Sequence, residues 1–338
     1  MSPLLQVNDI KKHFLLRGRL GGRAGFVYAV DGVSFAIDRA ETLALVGESG
    51  CGKSTVGRAI LRLFDLTAGQ VILDGTRIDD LSAATLRPLR RRIQVVFQDP
   101  FASLNPRLRV RDILAEPIKN FRLAGSSADL GRRLARLIDI VGLPRDSASR
   151  FPHEFSGGQR QRIGIARALA AEPDLIVCDE AVSALDVSVK AQIVNLLADL
   201  QRELGLALLF ISHDLAVVEY MTHRVAVMYL GRIVELGAKR AIFAAPRHPY
   251  TKALLSAVPR PDPTTPPNRM VLKGDVPSPA NPPKGCRFHT RCPFVFDRCR
   301  VETPALKLTG DDHFAACHLN DEGAPTAPQP AMPDPPSS

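Results

Sequence analysis

The chain has 338 residues, a hydrophobic content of 45% and a formal net charge of +9, so it can build one large or two unequal domains. The roughly 20 apolar residues that span a bilayer are far more than its longest apolar runs contain, such as Leu206–Ile211 and Thr42–Val46. The N-terminus also lacks a signal-peptide pattern. We therefore expect a soluble intracellular protein. The basic residues are not interleaved with aromatic ones, even in the run Arg87–Arg92, which predicts a solvated surface and no nucleic-acid partner.

Strand-like and helical runs alternate from residue 1 to about residue 245, which predicts an α/β fold with crossover helices. Four apolar runs are continuous, as expected for strands covered on both faces: Leu43–Val46, Ile93–Phe97, Leu175–Cys178 and Leu208–Ile211. Between about residues 99 and 170 the strand signal disappears, so we expect a helical insert. Apolar residues at helical spacing then predict one long helix; they are Val189, Ile193, Leu196, Leu197, Leu200 and Leu204. Val225–Tyr229, the turn Leu230–Gly231 and Ile233–Leu236 together predict a hairpin.

The last third of the chain has a different composition. Nine prolines between Pro259 and Pro283 predict an extended connector. Residues 286–318 follow as a short cysteine-bearing module, and the composition after Asn320 predicts a disordered tail. We therefore expect a sheet domain over residues 1–245, an extension over 246–320 and a tail over 321–338.

A phosphate-binding loop follows the first of the four predicted strands. The pattern G-x-x-x-x-G-K-[ST] is met by Gly47, Glu48, Ser49, Gly50, Cys51, Gly52, Lys53, Ser54 and Thr55. A predicted helix comes next, with Val56, Ile60, Leu63 and Phe64 on one face. Backbone amides and the helix N-terminus would surround the phosphates of a nucleotide, Lys53 would neutralise them, and Ser54 would bind Mg²⁺. Cys51 is expected to fill space in the loop and not to act as a nucleophile, because no histidine neighbours it. The loop alone leaves a kinase, a GTPase and a motor ATPase open.

Two adjacent carboxylates end the strand Leu175–Cys178. Asp179 is placed to hold Mg²⁺, directly or through water, and Glu180 to polarise an attacking water. An exposed strand end would also carry acids, but a phosphate-binding loop in the same sheet favours the catalytic interpretation.

A second anion-binding helix start lies upstream of these acids. Ser156, Gly157, Gly158 and Gln159 open a predicted helix carrying Ile163, Ala166 and Ala170, and such a start offers uncovered amides to an anion. A second phosphate cradle is useful when two chains face each other and share their nucleotides. The four residues resemble the signature motif of ABC ATPases.

The resemblance to ABC ATPases extends over roughly residues 5–244 and implies roles for further residues. Tyr28 would stack on adenine, with a core tyrosine as the alternative, and Gln98 would sense Mg²⁺ and contact the membrane partner. Asp186 would belong to the D-loop, Ser183–Asp186, and His213 would be the switch histidine. Ala181 departs from the pattern, because close relatives usually carry proline after the glutamate. Alanine lacks the fixed φ of proline, so we expect a looser turn there.

The implied partners follow from a closer resemblance, to dipeptide and oligopeptide importer ATPases. It is carried by residues 87–92, 97–107 (FQDPFASLNPR), 151–168 and 248–259, and the second of these is most similar to the subunit labelled F. The resemblance implies a second, related ATPase subunit as heterodimer partner, two permeases, an external peptide-binding protein, and a place on the cytoplasmic face of the inner membrane. ATP hydrolysis would close and reopen the ATPase pair. Nickel or another solute as cargo, an exporter ATPase, and a soluble ABC ATPase of DNA repair or the ribosome are the alternatives.

Four of the six cysteines lie within 32 residues, spaced C-x5-C-x6-C-x17-C: Cys286, Cys292, Cys299 and Cys317. In an intracellular chain they favour free thiols or a metal site over disulfides. A short module with little core favours stabilisation by a bound group. A four-iron–four-sulfur cluster is the first candidate and zinc the second. Reduced thiols without metal are the alternative. Some similar importer ATPases carry a cluster in this extension.

Overall fold

The computed structural model describes residues 2–16, 25–258 and 270–324. The strands are β1 (Leu5–Leu16), β2 (Gly25–Ile37), β3 (Thr42–Val46), β4 (Ala68–Leu73), β5 (Thr76–Arg77), β6 (Ile93–Val96), β7 (Leu175–Asp179), β8 (Ala207–Ser212), β9 (Arg224–Tyr229), β10 (Arg232–Ala238), β11 (Lys307–Gly310) and β12 (His313–Ala315). The helices are α1 (Lys53–Ile60), α2 (Ala83–Leu89), α3 (Pro100–Ser103), α4 (Val110–Asn120), α5 (Ser127–Ile140), α6 (Gly157–Leu169), α7 (Val187–Leu204), α8 (Leu215–Met221), α9 (Lys239–Ala244), α10 (Pro249–Ser256) and α11 (Asp297–Val301), with short 3-10 turns at Arg145–Ser149, Pro152–Glu154 and His318–Asn320.

The main sheet has eight strands in the order β11-β12-β10-β9-β3-β8-β7-β6. Strands β9, β3, β8, β7 and β6 are parallel neighbours, whereas β10, β12 and β11 join the edge in antiparallel pairs. Every residue of β3, β7 and β8 is buried, as expected for strands covered on both faces. The carboxyl ends of parallel strands meet at one edge, so the segments after β3, β6, β7 and β8 are brought together.

A second sheet, antiparallel and in the order β2-β1-β4-β5, lies beside the first. Its apolar residues, including Leu5, Val7 and Ile37, form one buried cluster with Val56 and Ile60 of α1. The sequence analysis did not predict these strands. Repeated register shifts between β1 and β2 interrupt the simple alternation by which a half-buried strand is identified.

The four strands predicted from continuous apolar runs are confirmed to within one residue at each end, and β9 and β10 form the predicted hairpin. Residues 97–174 are all described and contain helices and turns without a strand, as the predicted helical insert requires. One helix prediction was wrong in part, because α1 ends at Ile60 and Leu63 and Phe64 lie beyond it. The predicted long helix is confirmed as α7, although Leu204 at its end is 43% exposed.

The C-terminal extension shares its core with the main sheet. Strand β12 pairs with β10, with Glu235 opposite Ala315 and Gly237 opposite His313. Phe288 is buried, and its ring packs edge-on against Tyr229 at 5.2 Å. The sheet edge and the aromatic cluster therefore give this module a core that it shares with the main sheet. Residues 259–269 of the predicted connector and 325–338 of the predicted tail lie outside the described residues. Among the helices that the structure describes, no segment has the length and hydropathy of a bilayer span.

Candidate functional site

The loop between β3 and α1 has the backbone shape of a phosphate cradle. Gly47, Gly50 and Gly52 have φ values of 151°, 79° and 105°, which side-chain-bearing residues rarely adopt. A Cβ on Gly47 would lie 2.2 Å from the carbonyl oxygen of Met228, so there is also no room for a side chain. Cys51 is buried, and burial raises the pKa of its thiol. It is a neutral filler of the loop, as the sequence suggested.

Lys53 and Ser54 open α1 directly after the loop. The ammonium group of Lys53 is buried and donates hydrogen bonds to the carbonyl oxygens of Gly47 at 2.8 Å and Glu48 at 3.0 Å. The hydroxyl of Ser54 donates to Asp179 Oδ1 at 2.6 Å. These two oxygens come from adjacent elements, α1 and the end of β7, and form the hard donor pair that Mg²⁺ prefers.

Glu180 and His213 follow the neighbouring strands β7 and β8. Glu180 has a positive φ of 49°, and its amide donates to the carbonyl of Ile211 at 3.1 Å. His213 Nδ1 lies 3.8 Å from Glu180 Oε2, and the histidine side chain is 57% exposed. The strained backbone turns the carboxylate toward the histidine at the carboxyl edge of the sheet.

The turns around these two residues are fixed by hydrogen bonds. The amide and hydroxyl of Ser183 donate to the carbonyl of Glu180 at 3.0 and 2.9 Å, and Ala181 is buried between them. After β8, burial raises the pKa of Asp214, but the hydrogen bond and charge of Lys190, together with the backbone amides of Val217 and Ala216, outweigh burial and lower that pKa. Asp214 is therefore a charged cap of α8 beside the predicted switch histidine.

Gln98 follows β6, and Tyr28 lies on β2. Gln98 is exposed two residues after the end of β6, and Gln161 of α6 donates to the adjacent carbonyl of Phe97 at 3.3 Å. Tyr28 is half-buried on β2, with its ring edge-on to His13 at 4.6 Å. The structure thus ties the Gln98 turn to α6, and it places Tyr28 on the antiparallel sheet.

The predicted signature motif starts α6. Ser156 is exposed and caps the helix reciprocally: its hydroxyl accepts from the amide of Gln159 at 3.4 Å, and its own amide donates to Gln159 Oε1 at 3.0 Å. Asp186 is exposed at the N-terminus of α7. Helix α6 packs against α3, α4, α5, α7 and β6, whereas α1 packs against β1, β2, β7 and β8. The two helix starts belong to different packing groups and face different surroundings.

Gly158 of this motif is required by packing between α6 and α7. A Cβ there would lie 2.3 Å from Val189 Cγ1, and valine cannot rotate away easily. We expect Gly158→Ala to destabilise the chain by about 1–3 kcal/mol through overpacking. Gly164→Ala in the same helix, where a Cβ meets nothing within 4 Å, is the matched control and should be neutral or stabilising. Urea unfolding of both variants measures the difference, and equal stabilities would contradict this reading.

Two residues of the C-terminal extension also contact the loop, and the sequence analysis assigned them no role. Arg291 donates to both carboxylate oxygens of Glu48, at 2.7 and 3.1 Å. The hydroxyl oxygen of Tyr250 accepts from the amide of Glu48 at 2.8 Å. These partners are 243 and 202 positions away from Glu48, so no local pattern in the sequence could have indicated them.

The four clustered cysteines are free thiols, as are Cys51 and Cys178. Burial raises the pKa of Cys286, and it raises those of Cys292 and Cys317 to about 12. In the described ranges no group of three or more His, Cys, Asp or Glu side chains is arranged to hold a metal ion. The structure therefore does not support the predicted iron–sulfur cluster.

Comparison with known proteins places these features in a family. The ABC transporter model matches residues 30–183, and the model of the oligopeptide/dipeptide transporter C-terminal region matches residues 234–299. A putative peptide import ATP-binding protein of Brucella ovis is 54% identical over 316 residues, 94% of this chain and 98% of the relative. The oligopeptide transport ATP-binding protein AppF of Bacillus subtilis is 52% identical over 322 residues, with the same coverage of both chains.

Two solved structures share the fold. One is an ATP-binding cassette in a dimeric, post-hydrolysis state bound to ADP and Pi, which has a TM-score of 0.62, 29% identity, and coverage of 70% of this chain and 99% of the other. The second is cbiO1 of Clostridium perfringens, described as part of the ABC transporter complex cbiONQ, with a TM-score of 0.62, 26% identity, and coverage of 72% and 92%.

Proposed function

Because this chain belongs to the ABC transporter ATPases, in the group with the oligopeptide/dipeptide C-terminal region, we propose that its ATP hydrolysis powers the import of dipeptides or oligopeptides through permease subunits. The observation that carries this proposal is the meeting of the loop, Ser54, Asp179, Glu180 and His213 at one sheet edge, in a chain that also has the transporter-type extension.

The residues of this edge divide the chemistry among them. Lys53 exchanges its two loop carbonyls for the β- and γ-phosphates of ATP. Ser54 and Asp179 fit Mg²⁺, which would neutralise charge developing on the phosphates. Glu180 orients the attacking water in line with the γ-phosphate, and His213 stabilises the charge that develops there. Gln98, Tyr28 and Asp186 are proposed to contact the metal, the adenine and the facing subunit respectively.

The second half of each site is proposed to come from another subunit. Ser156 is exposed, and the helix that it caps lies in a different packing group from α1. The amides of Gly157 and Gly158, which the reciprocal cap does not use, suit the γ-phosphate bound by a facing P-loop. The partner is proposed to be a second, related ATPase subunit, with two permeases docked near Gln98. A peptide-binding protein outside the cell would complete an assembly whose ATPases lie on the cytoplasmic face of the inner membrane.

Activity should depend on assembly. We expect the isolated chain to be a weak ATPase, because its signature helix needs a facing P-loop. Co-assembled with the second ATPase subunit and two permeases, it should be stimulated by peptide-loaded binding protein, with phosphate release as the measurement. Full, substrate-regulated turnover in the isolated chain would contradict the proposal. Stimulation by a nickel-loaded binding protein and not by a peptide-loaded one would move the cargo to the alternative class.

The cluster predicted from the sequence has no part in this mechanism, because no step of ATP hydrolysis transfers an electron. Iron and acid-labile sulfide in anaerobically purified protein test it directly. About four of each per chain would sustain a cluster at the four cysteines. Iron-free protein with unchanged stability would leave the thiols as part of a core shared with the main sheet.

A further inference from the structure

The C-terminal extension holds the phosphate-binding loop through Glu48, the second residue of the loop. The guanidinium of Arg291 donates to both oxygens of the Glu48 carboxylate, at 2.7 and 3.1 Å. The hydroxyl oxygen of Tyr250 accepts from the Glu48 amide at 2.8 Å. The same loop residue is thus held by its side chain and by its backbone, and both partners come from the extension.

The contact between Arg291 and Glu48 is partly withdrawn from water. The side chain of Arg291 is 8% exposed and that of Glu48 is 30% exposed. The hydrogen bonds to Glu48 raise the pKa of Arg291 above its ordinary value, so the guanidinium keeps its charge. A bidentate guanidinium–carboxylate pair fixes the orientation of the carboxylate as well as its distance, which the single ammonium of a lysine cannot do.

Arg291 is itself anchored to the main body of the chain. Its amide donates to the carbonyl of Phe288 at 3.0 Å, and the Phe288 ring packs against Tyr229. Four residues before Arg291, Arg287 is ion-paired with Asp31 of β2 and donates to the carbonyl of Leu230 at 2.5 Å. The guanidinium that meets Glu48 is therefore positioned by the fold of the extension on the sheet.

We propose that Arg291 is a positioning residue for ATP binding: through Glu48 it holds the loop backbone in its phosphate-receiving shape and neutralises a carboxylate beside the phosphate site. The inference rests on the proposed function. When Lys53 turns from the carbonyls of Gly47 and Glu48 to the phosphates, the extension continues to hold the loop. An unpaired Glu48 would repel the nucleotide, because like charges at close range in a partly buried site interact strongly.

The test is a double-mutant cycle on the full chain, with the dissociation constant of ATP measured by calorimetry and KM and kcat measured in the assembled complex. We expect Arg291→Gln to weaken ATP binding on the order of tenfold, a usual size for coupling between linked elements. KM should rise with little change in kcat. The Glu48→Gln/Arg291→Gln double variant should recover most of the affinity, because it removes the unpaired charge. Arg298→Gln is the matched control and should keep wild-type affinity, since Arg298 pairs with Glu302 of the extension and with Asp321 directly after it.

A merely structural role would lower the unfolding temperature and the active fraction, but it would not give recovery in the double variant. Arg291→Lys is the second variant if Arg291→Gln does not fold. It should also weaken ATP binding, because lysine cannot form the bidentate contact with Glu48. Unchanged ATP affinity in both Arg291 variants, or a double variant weaker than the Arg291→Gln chain, would overturn the inference. A wild-type chain that does not bind ATP would instead overturn the proposed function, so the two failures are distinguishable.

Discussion

Glu180→Gln is expected to lower ATP hydrolysis on the order of 1000-fold while ATP binding is kept, since a site that loses one preorganised polar group loses transition-state stabilisation of this size. Glutamine keeps the shape of the side chain, and the amide of residue 180 still donates to the carbonyl of Ile211. Bound ATP would then hold the two ATPase subunits together. The measurements are phosphate release and the mass of the ATP-loaded assembly.

The matched control for this variant is Glu203→Gln, which alters an exposed glutamate of α7. It should hydrolyse ATP at the wild-type rate. Wild-type hydrolysis by the Glu180→Gln assembly would remove Glu180 from the proposed mechanism. Loss of ATP binding in that variant would mean that the glutamate holds nucleotide and not water.

Lys53→Ala should abolish ATP binding in the isolated chain. The ammonium group is buried and donates to two loop carbonyls, so its removal takes away the central positive charge and also loosens the loop. Calorimetry with ATP and Mg²⁺ measures the loss. Lys252→Ala, at an exposed position of α10, is the control and should bind normally. Normal ATP affinity in the Lys53→Ala chain would contradict the assignment of this loop.

The parallel strands of the main sheet and its carboxyl edge were predictable because their signals are local. Continuous apolar runs such as Leu175–Cys178 mark buried strands, and the chemistry-bearing residues follow them directly in the sequence. The glycines of the loop are also predictable, since a positive φ at Gly50 and Gly52 is a backbone requirement of the motif itself.

The antiparallel sheet and the contacts of the extension could not be predicted in this way. Strand β1 is interrupted by register shifts, so its apolar residues do not keep a simple period. The pair between Arg291 and Glu48 joins residues 243 positions apart, and an arginine among cysteines suggests a solvated residue in a small module. The core that this module shares with the main sheet, through Phe288 and β12, was likewise not predictable from local pattern.

Peptide uptake into proteoliposomes tests the central claim most directly. The vesicles would contain this chain, its second ATPase subunit and two permeases, with ATP on the ATPase side and peptide-loaded binding protein on the other. We predict uptake of labelled peptide that requires ATP and is lost with Glu180→Gln, although the assembly still forms. ATP-dependent peptide uptake that proceeds equally with Glu180→Gln, or an assembled complex that hydrolyses ATP without moving peptide, would contradict the account.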